Sequence, residues 1–182
     1  MLLRPGIIVS IVAFALAACG VAASAPTSAA QTASRASVTR ATSLEALLMR
    51  QVNGVRLSRG LHRLNGSSAL TRTAVGHSLS MATQGFFAHE SPNGTPFWRR
   101  VEKSYGPRTH GWTVGENLAM FGGAAPTADD IVEAWMASPR HRANLLRPIF
   151  REAGVGIIFN PTAGGVFGGE PTWVVTLDVG RR

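Results

Sequence analysis

Histidine is the side chain best suited to proton transfer or metal ligation near neutral pH. This chain of 182 residues carries five histidines, at positions 62, 77, 89, 110 and 141, and a single cysteine, Cys19. One cysteine excludes an internal disulfide, a zinc–thiolate cluster and, outside the N-terminal segment, a catalytic thiol. A serine-hydrolase constellation built on Ser91 or Ser138 with His141 has no Gly-x-Ser-x-Gly elbow and no identifiable acidic partner. His77 falls on a helix face with Ala74 and Met81, the setting of a buried, hydrogen-bonded histidine, whereas His62 and His110 read as surface residues.

Cys19 is informative by position. Met1-Leu2-Leu3-Arg4 precedes an uncharged, apolar run from Ile7 to Ala18, the n-region and h-region of a signal peptide. Twelve residues are too few to span a bilayer core, which needs roughly 20 in a helix. The run ends Leu16-Ala17-Ala18-Cys19, which resembles a bacterial lipobox. Residues 1–19 are therefore expected to be a lipoprotein signal peptide, with Cys19 acylated and the protein held at the cell membrane. Cleavage after Ala23 or Ala25 is the alternative, leaving Cys19 incidental and the protein secreted.

All but one of the eighteen basic residues are arginine, Lys103 being the exception, and the formal net charge is +8. The arginines are dispersed and form no block of the kind that binds nucleic acid, which export also argues against. Attraction to anionic headgroups is one consequence of such a surface; a simply solvated surface is the favoured one.

The reactive residues must be positioned by whatever elements the chain forms. Residues 20–41 are rich in Ala, Ser and Thr and lack large apolar side chains to offset the entropy of ordering, so they are expected to be a disordered tether. The globular domain is expected over 42–182. Thr42-Ser43-Leu44-Glu45 has capping-box spacing, and Leu44, Leu47, Leu48, Val52 and Val55 recur at helical period, with Gly60 as the stop. After a turn at Asn65-Gly66, Ser67 or Ser68 caps a second helix ending at Gly85. A loop over 86–94 carries His89, followed by a short helix over 96–105. A strand over 113–121, a helix capped by Thr127 and ended by Pro139, and two strands over 154–160 and 172–179 complete the pattern. Trp173, Val175, Leu177 and Val179 alternate on one buried face. Short connections and hairpin-like endings predict an α+β fold, helices packed on the faces of an antiparallel sheet.

Four segments then stand in order: Asn53-x-x-Arg56 with Gly60-Leu61 and Leu64; Ala74-x-x-His77-Ser78-x-x-Met81-Ala82 leading into Gly85-Phe86-Phe87-Ala88-His89; Gly115-Glu116-Asn117-Leu118-Ala119; and Trp135-Met136-x-Ser138-Pro139-x-His141-Arg142-x-Asn144-Leu145-Leu146 with Gly154-Val155-Gly156. Together they resemble the CAP family of cysteine-rich secretory, antigen 5 and plant pathogenesis-related proteins, from about Leu47 to Gly180. The resemblance implies a three-layer α-β-α sandwich with a central antiparallel sheet and a large surface cleft. In the family that cleft commonly gathers two histidines and two acids, and here it implies His89, Glu116 and His141. Where many eukaryotic members place a second glutamate, this chain has Ser138.

Two imidazoles and a carboxylate suit a zinc ion with one position open for water. If Glu116 is a ligand, nothing obvious remains as the base. Alternatively, Glu116 accepts hydrogen bonds that stabilise the cleft. Asn117, Ser138 and Asn144 are expected to support the loops around it. Three functions follow as expectations: a non-enzymatic, membrane-tethered envelope protein binding a divalent metal or a small apolar ligand such as a lipid or sterol; a metal-dependent hydrolase with Glu116 as its base; or an adhesive module contacting an envelope polymer.

Overall fold

A computed structural model describes residues 37–106 and 111–182. Cys19, the signal peptide, residues 20–36 of the expected tether and His110 lie outside the described residues. The domain starts earlier than the sequence pattern predicts: β1, Thr39–Arg40, pairs antiparallel with the later strand β4, Glu152–Ala163, and Ala41 N–H donates to Ile157 O at 3.0 Å. Backbone pairing needs no apolar side chains, so composition alone could not register it.

Helix α1, Thr42–Leu57, buries Leu48 and Val52. The expected capping box is replaced by a tertiary contact, because Glu45 accepts from the backbone N–H of Ile157 at 3.0 Å and from the Arg40 guanidinium at 2.8 Å. The pair Asn65–Gly66, expected to be a turn, is the short strand β2, running parallel to β4. Helix α2, Ser68–Gln84, begins at its Ser67 cap and ends at Gly85, whose φ of +73° is the left-handed conformation that glycine tolerates. Helix α3 follows over Phe97–Tyr105.

Strand β3, Thr113–Gly122, pairs with β5, Glu170–Arg181, which pairs with β4, giving the order β1-β4-β5-β3 with every pairing along that path antiparallel. Both tail strands are longer than expected, since polar positions such as Glu152 and Gly180 are held by the ladder and not by apolar alternation. Thr127 caps α4, Ala128–Ala137, in a reciprocal capping box with Asp130. Pro139 does not end the helical region. It opens α5, Pro139–Leu145, because a first-turn residue needs no backbone N–H.

The three layers follow. On one face α2 and α3 bury Leu70, Met81, Val101 and Tyr105. On the other, α1, α4 and α5 bury Leu48, Ile131, Trp135 and Leu145 against Ile157, Val175 and Leu177. Helix α2 lies so close to β4 that a Cβ at Gly154 would sit 2.0 Å from the backbone N of Thr71, and one at Gly156 2.3 Å from that of Val75. Arg56, with no exposed surface, extends from α1 beneath the far end of α5, donating to the carbonyls of His62 (2.9 Å), Leu145 (2.7 Å) and Arg147 (3.2 Å). That clamp fixes the helix carrying His141.

Candidate functional site

Strand β3 is the outermost strand on its side of the sheet, and its free-edge carbonyls would otherwise be open. Asn144 Nδ2 donates to Glu116 O at 3.1 Å, and the Trp135 indole N–H donates to Leu118 O at 2.9 Å. Asn144 Nδ2 also donates to Asn117 Oδ1 at 3.0 Å, and Asn117 Nδ2 donates to His141 O at 3.0 Å. Asn117 and Asn144 thus tie α5 to the strand edge. Ser138 does not line the cleft: it is the extended residue between α4 and α5, and its carbonyl accepts from Arg142 N–H at 2.9 Å.

Neighbours on a strand point to opposite faces, so Glu116 faces the α2–α3 layer while Gly115 and Asn117 face α5. The Glu116 side chain is 1% exposed. His89 Nδ1 lies 2.8 Å from its Oε1, and Arg100 Nη2, on α3, donates to its Oε2 at 2.5 Å. Arg100 Nη1 donates to His89 O at 3.0 Å and to Ser91 Oγ at 3.2 Å, pinning the loop that delivers the histidine. A carboxylate accepts, so the His89 Nδ1 carries the hydrogen. The hydrogen bond to Glu116 raises the His89 pKa above its ordinary value, opposed by partial burial. Burial lowers the pKa of His141, and the nearby His89 lowers it further.

His89, Glu116 and His141 all line one cavity of about 370 Å³, with Phe97 and Val114 as apolar wall and Arg140 and Asn144 at the α5 side. A loop, an edge strand and a short helix converge there, as the resemblance implies. His77 stays apart from it: 1% exposed, its Nε2 lies 2.9 Å from Ala88 O, and burial lowers its pKa.

With that geometry in place, comparison with known proteins decides the family: the model of the cysteine-rich secretory protein (CAP) family matches residues 49–177. The chain belongs to the CAP family. Among curated relatives, this CAP protein is 34% identical to YkwD of Bacillus subtilis over 118 residues, 64% of this chain and 43% of YkwD. It is 29% identical to the Bacillus subtilis membrane protein YlbC over 116 residues, 64% of this chain and 32% of YlbC. The chain therefore spans less than half the length of these relatives. Among solved structures, an extracellular SCP-domain protein of Bacillus anthracis superposes with a TM-score of 0.58 at 24% identity, covering 78% of this chain and 41% of that one. An outer surface protein of Borrelia burgdorferi does so with a TM-score of 0.61 at 16% identity, covering 79% and 98%. Both likenesses are of fold.

The CAP cleft does not fit the zinc site that His89, Glu116 and His141 could form on paper. Both Glu116 oxygens are engaged, one by His89 and the other by a guanidinium that already neutralises the carboxylate. Among the described residues no group of three or more His, Cys, Asp or Glu side chains is arranged to hold a metal ion. Among the described residues, no serine, threonine or cysteine lines this cavity.

Two residues escaped the sequence reading. Arg100 looked like one surface arginine among many, and no local signal marks it. Asp178 is an acid inside the last apolar strand, between Leu177 and Val179, and that incongruity was a readable signal. It is fully buried, with Oδ2 accepting from Thr73 Oγ1 at 2.6 Å.

Proposed function

We propose that this protein is an exported, non-enzymatic envelope protein, held at a membrane through lipidated Cys19, whose CAP cleft binds a small ligand with a polar group and an apolar body, such as a lipid or sterol. The cavity shared by His89, Glu116 and His141 carries the reading. Its acid is charge-compensated by Arg100, its histidines and Arg140 offer donors, and Phe97 and Val114 offer apolar surface. A mostly preformed pocket mixing a few polar groups with aromatic wall is the usual form of a small-molecule site. The names of the Bacillus anthracis and Borrelia proteins, extracellular and outer surface, support an exported location. Among the described residues no helix is long and apolar enough to cross a membrane.

Binding is tested with the full chain in detergent micelles, titrated with a fluorescent sterol and separately with a fluorescent fatty acid. Saturable binding of one probe is expected. His141→Ala should weaken it about tenfold, the equivalent of one hydrogen bond to a charged or polar group at ~1.4 kcal/mol. Absence of saturable binding by either probe overturns the proposal.

A further inference from the structure

The register of β3 against β5 sets Glu116 directly opposite Asp178, so both carboxyl groups point to the α2–α3 face of the sheet. Asp178 has no exposed surface, and while its Oδ2 is occupied by Thr73, its Oδ1 is buried without a donor from any N–H or hydroxyl group. On its other flank the register partner is Gly154, which brings no side chain, and the backbone of α2 closes over that glycine. The nearest cation, Arg100, has its two terminal nitrogens engaged with Glu116, His89 O and Ser91 Oγ. What faces Asp178 Oδ1 is therefore the Glu116 carboxyl group, its partner across the ladder; burial pushes the Asp178 pKa up, and the Glu116 charge acts with it.

Two carboxylates facing one another in a buried site cannot both be ionised at neutral pH when one cation serves the pair. Glu116 is hydrogen-bonded by Arg100 and His89; Asp178 accepts only from a hydroxyl, and the Arg100 charge that favours its ion is outweighed by burial and by Glu116. The proton that holds them together belongs on Asp178, whose burial acts in the same direction. Asp178 then accepts from Thr73 on one oxygen and donates from the other, leaving no polar atom of its own unmet.

We propose that Asp178 is a positioning residue for the cleft, a neutral carboxylic acid that links Thr73 on α2 to Glu116 on β3 and so holds the Glu116 carboxylate between His89 and Arg100. Ser138, between α4 and α5, supplies no acid, and Glu90, which also lines the cavity, is an exposed loop residue. Asp178 is a buried acid behind Glu116, supplied by β5 and closed off from any ligand. This role does not depend on which ligand the cleft takes.

The test compares the full chain with Asp178→Asn, Asp178→Leu and Thr73→Val at neutral pH. Infrared difference spectra of the wild type against Asp178→Asn should show loss of the carbonyl band of a neutral carboxylic acid; a spectrum that loses only carboxylate bands overturns the proposal. Nitrogen NMR of the His89 ring reads whether Nδ1 keeps its hydrogen on Glu116. An asparagine amide can donate to Glu116 and accept from Thr73, so Asp178→Asn should retain the wild-type His89 signature, while Asp178→Leu should shift it toward that of an unpaired imidazole. Equal loss in both variants, or no change in the leucine variant, overturns it. If the leucine variant does not fold, Thr73→Val should give a smaller shift in the same direction, and an unmoved signature there counts against the link.

Discussion

Glu116 is an ionised side chain held almost entirely out of water, which is tolerable only because its charge is paired and its oxygens accept hydrogen bonds. Removing one partner of such a pair is costlier than removing a surface ion pair, since the other charge is stranded. The same contact raises the His89 pKa above its ordinary value near 6.5. A raised pKa means that the folded protein holds the proton more tightly than the unfolded chain does. The pairing therefore stabilises the fold fully below about pH 6.5, and the contribution is lost as pH rises through the raised value. Glu116→Gln should bring the His89 midpoint down toward 6.5 and flatten that pH dependence. NMR titration of the imidazole checks this, and a midpoint unmoved by the substitution would contradict the assigned cause.

At the scale of elements, the site depends on how closely α2 and α5 are held to the sheet. The contact of α2 with β4 is backbone against backbone at Gly154 and Gly156, with no flexible side chain between them to give way. Gly156→Ala forces the helix and strand apart, and overpacking of that kind typically costs about 1–3 kcal/mol. Urea unfolding of the variant should show a loss in that range, and a value indistinguishable from wild type would mean that α2 is free to slide. Helix α5 is held by side chains instead: Arg56 from below, Asn117 and Asn144 from the strand edge. The motif residues Asn53 and Arg56 thereby acquire a physical meaning. Asn53 bonds both the N–H and the carbonyl of Leu64 (2.7 and 3.0 Å), and Arg56 satisfies the carbonyl of the last residue of α5, Leu145, and that of Arg147 just beyond it. The sequence showed these residues only as spaced letters.

The molecule as a whole joins a basic, arginine-rich CAP domain to an N-terminal segment whose chemistry centres on Cys19. A single acyl chain binds a membrane only marginally, at ~0.8 kcal/mol per buried methylene, so the anchoring proposed at Cys19 requires more than one chain. Cys19→Ala should abolish fatty-acid labelling and move the protein from the detergent phase to the aqueous phase; retained labelling would place the attachment elsewhere. The residue pattern alone determined the α+β class, the limits of most helices and the family, and it singled out His89, Glu116 and His141 as candidates. Each of these rests on local periodicity, breakers or short spaced motifs that a linear chain displays. What tertiary structure decided was pairing. Arg100 neutralises Glu116 because α3 lies across the edge strand, and Asp178 meets Glu116 because the strands align in one register and not another. Thr39–Arg40 becomes a strand only because β4 offers it an edge. Contacts between residues distant in sequence depend on how layers dock, and no periodicity along the chain encodes them.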